Sequence, residues 1–183
     1  MFDIENIKES SGNGSNSKYL TKGINQNVTI GTILGVTPGE GRAPYISITL
    51  FKSNSTEEEG GRDFKLYMSD KAKTGSLTKL LHLAGKVVPK EDVVAADKKS
   101  TTLEDFCVEL NRLMKGKTID WLKLAAEQYM NANQEIKDRV QLGFVPFAEQ
   151  GEKCTLTYDE SKEKDYKRLP VPEVSEGTDD LPF

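Results

Sequence analysis

An alternation of apolar and polar residues in the first half of the chain limits its fold more than any other feature. In residues 45–52, Ile46, Ile48 and Leu50 fall on one face and Tyr45, Ser47, Thr49 and Phe51 fall on the other. Because the side chains of a β-strand point alternately to its two faces, this period of two predicts a strand with one buried face. An amphipathic helix would instead repeat every 3.6 residues or so.

Two further segments alternate in the same way. Residues 27–36 place Val28, Ile30, Thr32 and Leu34 on one face, and residues 63–69 place Phe64, Leu66 and Met68 inward and Lys65 and Tyr67 outward. Glycine-containing turns separate the segments at residues 37–41 and 54–61. The three strands are therefore predicted to form an antiparallel meander.

Two helices are predicted after the third strand. Leu77, Leu80, Leu81 and Ala84 have helical spacing, and so do Leu103, Phe106, Cys107, Leu110 and Leu113. The second helix opens with Thr101-Thr102-Leu103-Glu104, which is a capping-box pattern, and is predicted to end at Gly116.

Residues 117–130 fit two structures. Ile119, Leu122, Ala126 and Met130 would form the apolar stripe of a helix, whereas Trp121, Lys123, Ala125, Glu127 and Tyr129 alternate with Leu122, Leu124 and Ala126 as in a strand. The turn-like residues 131–134 and a second alternation over 137–145 (Val140, Leu142, Phe144) favour a β-hairpin. Residues 153–158 are predicted to add a short strand.

Three strands, a helical segment and two strands follow the plan of a five-stranded antiparallel OB-fold barrel, with helices between strands 3 and 4. The fold class is therefore mainly β with a helical insert (α+β). The 183 residues suffice for one domain, which we place at residues 18–158. Residues 1–17 are predicted to form a flexible arm, and the Pro-rich acidic residues 159–183 a disordered tail.

The usual enzyme signatures are missing, so no catalytic residue, cofactor or metal site is predicted. Gly116-Lys117-Thr118 resembles the end of a phosphate-binding loop, but Asn111 stands where the first glycine of that loop is required. His82 is the single histidine, which argues against a His-rich metal site or a Ser-His-Asp triad. A packed or surface histidine is expected, and the acidic run Glu57-Glu58-Glu59 is expected in a solvated loop.

The sequence gives expectations about location as well. No run of 18 apolar residues is present, so no membrane-spanning helix is predicted. The polar N-terminus lacks the apolar core of a signal peptide, and Cys107 and Cys154 are too few and too far apart for a disulfide framework. The cytoplasm is therefore expected.

The charge distribution is uneven although the net charge is only −4. Residues 169–183 carry four acids (Glu173, Glu176, Asp179, Asp180) and no base, so the rest of the chain is neutral. Residues 62–86 carry six bases (Arg62, Lys65, Lys71, Lys73, Lys79, Lys86) against Asp63 and Asp70. An acidic tail attached to a neutral body with local basic patches is therefore a specific arrangement, which the net charge alone conceals.

Aromatic and basic residues share the predicted outer face of the strands. The candidate set for binding single-stranded DNA is Tyr45, Phe51, Arg62, Lys65, Tyr67, Trp121, Lys123 and Tyr129. Aromatic rings stack on exposed bases and lysine or arginine meets the phosphates, which gives binding with little sequence preference. The alternative is that these aromatics pack against a second layer of the protein.

The chain ends Glu176-Gly177-Thr178-Asp179-Asp180-Leu181-Pro182-Phe183. This ending closely resembles the C-terminal tip of bacterial single-stranded DNA-binding proteins, usually Asp-Asp-Ile-Pro-Phe. Phe183 supplies an aromatic anchor and a carboxylate, Pro182 restricts the peptide, and the two aspartates steer it toward a basic pocket. Residues 179–183 are therefore the predicted binding segment for partner proteins.

The body, whose stretch from Tyr129 to Phe147 leads into Ala148-Glu149, is similar to phage-encoded single-stranded DNA-binding proteins. That resemblance implies an OB-fold, and a protein that coats and protects single-stranded DNA in replication, recombination or repair within the bacterial host cytoplasm. It implies recruitment of replication or recombination proteins through the tip, and it leaves the oligomeric state open. The alternative is an adaptor or recombination mediator whose OB domain binds protein rather than DNA.

Overall fold

A computed structural model describes residues 17–171. The predicted N-terminal arm, apart from Ser17, and the acidic tip at residues 179–183 lie outside these residues. The strands are β1 (Gly23–Val36), β2 (Tyr45–Lys52), β3 (Arg62–Tyr67), β4 (Thr118–Met130), β5 (Ile136–Leu142), β6 (Ala148–Glu149) and β7 (Tyr166–Lys167). The helices are α1 (Glu57–Gly60), α2 (Lys73–Ala84), α3 (Lys90–Lys99) and α4 (Leu103–Met114).

The strands form one mostly antiparallel sheet in the order β3-β2-β1-β4-β5, with β6 and β7 also paired to β4. The predicted meander of β1, β2 and β3 is confirmed, and so is the favoured hairpin, since residues 118–130 form a strand paired to β5. The Asn131 carboxamide closes the hairpin turn by accepting hydrogen bonds from the N–H groups of Asn133 and Glu135 (both 2.9 Å).

The two predicted helices are present as α2 and α4. Thr102 caps α4, and its hydroxyl accepts a hydrogen bond from the Asp105 N–H at 3.1 Å, one position later than the predicted box. The helix ends at Met114, and Gly116 follows with a φ of +83° that favours glycine. Helix α3 was not predicted, because only Val93 and Ala96 of its side chains are buried and they make too short an apolar stripe.

The predicted closed barrel is wrong, because no pairing between β3 and β5 is present among residues 17–171. Helix α2 stands between these two edges instead. The Ser76 hydroxyl donates to the Tyr67 carbonyl at the end of β3 (2.6 Å), and the Lys79 ammonium donates to the Leu142 carbonyl at the end of β5 (2.9 Å). The sheet therefore stays open, with a helix bridging one end of the gap.

The apolar core lies between the inner face of this sheet and helices α2 and α4. Its central side chains are fully buried: Ile30, Ile46, Ile48, Leu50, Leu80, Leu83, Leu110, Met114, Ile119 and Leu122. Phe64 and Leu66 point inward as predicted. The outer face of β2 and β3 is consequently the side of the meander that faces away from the core.

A β-bulge in β1 corrects the predicted faces of that strand. Ile30 lies opposite Leu50 but Ile33 lies opposite Ile48, so three steps on β1 match two on β2. The extra residue reverses the alternation, so Ile33 is buried and Leu34, predicted to share the face of Val28 and Ile30, is 55% exposed. The freed N–H group of Thr32 donates to the Glu57 carboxylate (2.7 Å), and that of Ile33 donates to the side-chain amide oxygen of Asn111 (2.9 Å).

The ordered body extends past residue 158, the boundary predicted from sequence. Residues 159–171 belong to the described part of the chain, and β7 pairs in parallel with β4 at Ala126 and Glu127. The Ala126 N–H donates to the Asp165 carbonyl (2.9 Å), and the Tyr166 side chain is buried. The short strand predicted at residues 153–158 is replaced by β6 at Ala148–Glu149 and by irregular chain.

Candidate nucleic-acid interface

Tyr45 and Tyr67 form a pair on the outer face of the meander. They lie directly opposite each other in the β2–β3 ladder, and their ring centroids are 5.6 Å apart at an interplanar angle of 56°. Tyr67 is 47% exposed and Tyr45 is partly buried. Two tilted rings on the outer side of a sheet present aromatic faces that a flat ligand can stack against.

Lys65 places a positive charge beside this tyrosine pair. Its side chain is exposed, and its ammonium lies 4.8 Å from the centroid of the Tyr45 ring. A cation over an aromatic ring contributes about 0.5–1 kcal/mol at an exposed site, so the contact restrains Lys65 without removing its charge from solvent. Aromatic surface and a base are therefore adjacent, as the sequence predicted for these three residues.

The same face also carries an acid and an apolar side chain that the predicted set left out. Asp63 accepts a hydrogen bond from the Thr49 hydroxyl at 2.6 Å. Leu34 lies opposite Ser47, which is two residues after Tyr45 on the same face of β2. Leu34 was missed because the bulge was not recognised. The sequence signal for the bulge was Gly31, because a glycine inside an alternating segment is typical of a bulge. The structure shows why a glycine is needed there, since a Cβ would come within 2.8 Å of the Glu57 carboxyl carbon.

Glu57 stabilises the bulge, because its carboxylate accepts the hydrogen bond from the Thr32 N–H next to Gly31. Partial burial opposes its ionisation, but the hydrogen bond from the Thr32 N–H and the nearby Lys115 ammonium (3.9 Å) hold the pKa of Glu57 below its usual value. The acidic run predicted to be a solvated loop therefore contains a short helix, α1, and the Glu57 carboxylate that supports the bulge.

Phe51 and Arg62 lie away from the tyrosine pair. Phe51 is on the same outer face but six residues further along β2, which corresponds to roughly 20 Å. Arg62 is exposed at the start of β3, opposite Leu50, so its register position is on the face of Phe64 and Leu66. These two residues occupy the other end of the β2–β3 hairpin.

Trp121 occupies a different part of the sheet. It lies opposite Gln26 on β1, whereas Tyr45 lies opposite Val36, and ten residues of strand correspond to roughly 30 Å. The indole is partly buried, and its N–H donates to the Gly151 carbonyl at 2.8 Å. Its ring is therefore fixed by the chain after β6 and does not adjoin the tyrosine pair.

Lys123 is not at a surface that DNA can reach. It is only 7% exposed, and its ammonium donates to the Asp165 carboxylate at 2.9 Å and to the Thr157 carbonyl at 3.1 Å. The other Asp165 oxygen accepts from the Asp159 N–H at 3.0 Å. Residues 157–166 cover this face of β4, which corrects the prediction of Lys123 as an outward DNA contact.

Tyr129 sits near the tip of the β4–β5 hairpin. Its ring is 37% exposed, and the Arg139 guanidinium lies 5.4 Å from the ring centroid. This second aromatic–basic contact is separate from the tyrosine pair, and Arg139 also contacts Glu127 at 3.6 Å. Of the eight predicted residues, the structure brings Tyr45, Lys65 and Tyr67 together and distributes the other five.

The loop at residues 142–148 carries an exposed aromatic that the sequence placed inside a strand. Strand β5 ends at Leu142, and Phe144 beyond it is 71% exposed. His82 of α2 anchors the far end of the loop, where its Nε2 accepts the N–H groups of Phe147 (3.2 Å) and Ala148 (3.1 Å). Phe147 is fully buried against the His82 ring, with centroids 4.8 Å apart.

His82 is therefore a packed histidine with a structural contact to the loop. Burial and the neighbouring Lys86 charge lower the pKa of His82 below its usual value. Its neutral form is the one that can accept hydrogen bonds at Nε2. Helix α2 thus holds the loop at both ends, through Lys79 at Leu142 and through His82 at Phe147 and Ala148.

Residues 17–171 contain no group of three or more histidine, cysteine or carboxylate side chains placed to hold a metal ion. No helix in that same range is long and apolar enough to cross a membrane. No protein-family model matches the chain, and a search of curated proteins found no significant match.

Proposed function

We propose that this protein binds single-stranded DNA without sequence specificity, and that it coats and protects the strand during replication, recombination or repair. The observation that carries this proposal is the tyrosine pair on the outer face of β2 and β3, with the Lys65 ammonium 4.8 Å from one ring. Each base stacked on such a ring contributes about 1–3 kcal/mol, and lysine meets the phosphate backbone. Duplex DNA offers no free base faces to these rings, so single strands are the preferred ligand.

The strand order supports the same proposal. The order β3-β2-β1-β4-β5, with α2, α3 and α4 between β3 and β4, fits an OB-type sheet left open between its third and fifth strands. OB-folds bind oligonucleotides on the face of strands 2 and 3, and the tyrosine pair lies on these strands. Preference for DNA over RNA rests on the resemblance of the tail to bacterial single-stranded DNA-binding proteins.

The local charge is suited to a polyanion. Residues 62–86 carry six bases against two acids, and they include β3 with Lys65 as well as α2, which begins close to Tyr67. Lys71 and Lys73 are exposed just after β3. Backbone phosphates passing the tyrosine pair therefore meet positive charge, and binding should weaken as salt rises.

The direct test is fluorescence anisotropy of labelled oligo(dT) titrated with the full-length chain, beside duplex DNA of equal length. We expect the single strand to bind at least about tenfold more tightly than the duplex. Tyr67→Ala should weaken oligo(dT) binding by roughly 5- to 150-fold, which corresponds to one lost base stack. Trp121 emission is a poor probe, because that residue lies far from the tyrosine pair.

Two variants control this test. Tyr67→Phe keeps the ring and should bind like the wild type, whereas Tyr19→Ala removes a tyrosine that is equally exposed but belongs to no strand of the meander. Tyr19→Ala should leave affinity unchanged. Absence of oligo(dT) binding by the wild-type protein would remove the proposal and leave the adaptor alternative, in which this face binds protein.

We further propose that residues 179–183, which lie outside the described part of the chain, recruit partner proteins and compete with DNA for the basic face. The support is the Asp-Asp-Leu-Pro-Phe sequence together with four acids and no base in residues 169–183. A tethered acidic peptide has a high effective concentration at a basic surface of the same molecule. Such competition should be strongest at low salt.

Deletion of residues 179–183 should therefore keep or raise the affinity for oligo(dT) at low salt, measured by the same anisotropy titration. An Asp179→Asn/Asp180→Asn variant should move the affinity in the same direction, because it removes the charge and keeps the length. Phe183→Ala keeps both charges and separates the apolar contribution. Weaker DNA binding after deletion would contradict the competition.

A further inference from the structure

We propose that Phe144 is a second stacking position on the same strand of DNA, so that the binding path runs from the tyrosine pair past α2 to the 142–148 loop. This inference rests on the proposed function. It adds a binding residue that the set predicted from the sequence did not include.

Phe144 is exposed on a loop that is held in place. Its side chain is 71% exposed, the second-highest value among the large apolar residues of the described chain. The Lys79 ammonium holds the Leu142 carbonyl at the start of the loop, and His82 Nε2 holds two N–H groups at its end. A ring presented by a restrained backbone loses little conformational freedom when a ligand stacks on it.

The position of the loop links Phe144 to the tyrosine pair. The Tyr67 carbonyl accepts from Ser76, and the Leu142 carbonyl accepts from Lys79, which is one helical turn further along α2. Tyr67 and Leu142 therefore flank the same short stretch of one helix, and Phe144 follows Leu142 by two residues. A strand that leaves the tyrosine pair along α2 reaches this loop.

Charge favours a nucleic-acid base over a protein side chain as the occupant. Lys71 and Lys73 are exposed between the end of β3 and the first turn of α2, and Lys86 follows the helix. Leu81 and Val145 are also exposed, on α2 and beside Phe144. An aromatic ring with apolar neighbours and nearby lysines suits a base with its phosphates, since the base stacks and the lysines meet the charge.

The test compares oligo(dT) of two lengths, about 5 and about 20 nucleotides, of which one is near the lower limit and the other above the upper limit of the 4–16 nucleotides that one OB-fold covers. Phe144→Ala should weaken binding of the longer oligonucleotide by roughly 5- to 150-fold and leave the shorter one almost unchanged. Phe144→Leu keeps an apolar side chain without a π-face, and should lose nearly as much as Phe144→Ala. Val108→Ala, at an exposed position on α4, is the matched control and should have no effect.

The possible results separate this inference from the function on which it rests. If wild type binds both lengths and Phe144→Ala changes neither, the inference is overturned while the function stands. If Phe144→Leu binds like wild type, the contact is not stacking and the inference is again overturned. A change in oligomeric state of Phe144→Ala by light scattering, without a change in DNA affinity, would identify a protein contact instead. If wild type binds no single strand, both fail.

Discussion

Asp165→Ala is expected to lower the free energy of unfolding by about 3–5 kcal/mol, measured by urea denaturation. The Asp165 carboxylate is nearly inaccessible and accepts from the Lys123 ammonium (2.9 Å) and the Asp159 N–H (3.0 Å). Its removal leaves a buried ammonium with one neutral partner, the Thr157 carbonyl. The loss is large because the remaining charge is buried without its counterion.

A double variant separates this cause from simple loss of contacts. Lys123→Met/Asp165→Leu removes more hydrogen bonds than Asp165→Ala, yet it should be less destabilised because no charge stays buried. Glu59→Ala breaks an ion pair of similar length (3.2 Å) whose side chains are about half exposed, and should cost less than about 1 kcal/mol. A double variant that is less stable than Asp165→Ala would contradict this account.

The combined variant Tyr45→Ala/Tyr67→Ala is expected to lose roughly 100-fold or more in affinity for oligo(dT), from two lost stacking surfaces at about 1–3 kcal/mol each. The combined loss should be smaller than the product of the two single losses. The rings contact each other at 5.6 Å, and Lys65 rests on Tyr45, so removing one ring already disturbs the other. For two residues in contact, the free-energy effect of the double substitution commonly differs from the sum of the single effects by about 0.5–3 kcal/mol.

The matched comparison is the pair Tyr45 and Phe51, which share a face of β2 but lie six residues apart. Their losses should multiply, since the two rings are too far apart to contact one base together. Anisotropy titrations of the single and double alanine variants at one salt concentration give the two double-mutant cycles, Tyr45 with Tyr67 and Tyr45 with Phe51. Equal coupling in the two cycles would mean that Tyr45 and Tyr67 do not act as a unit.

The strands could be predicted because burial of one face requires apolar and polar residues to alternate along the local sequence. The period of two in residues 45–52 predicted both the bounds and the faces of β2, and the same pattern resolved residues 117–130 in favour of a hairpin. The face of Leu34 was predicted wrongly because one extra residue in β1 reverses every position after it. Gly31 marked that place, but a single glycine does not fix the register.

The candidate site was predictable only where it depends on one hairpin. Tyr45, Lys65 and Tyr67 meet because adjacent strands bring them opposite each other, which the alternation already implied. Lys123 was placed wrongly because its partner, Asp165, is forty-two residues away in a run of charged residues that gives no sign of burial. Phe144 was missed because the alternation continues past Leu142 although the strand ends there.

Helix α2 has a consequence for association between molecules. An open sheet has two edge strands with unpaired N–H and C=O groups. These groups can pair with a strand from another chain, which can start aggregation. Here the edge strands β3 and β5 each give a terminal carbonyl to α2, at Tyr67 and Leu142. The helix thereby obstructs strand addition at that end of both edges, so the sheet keeps an open outer face without offering both full edges to a second copy of itself.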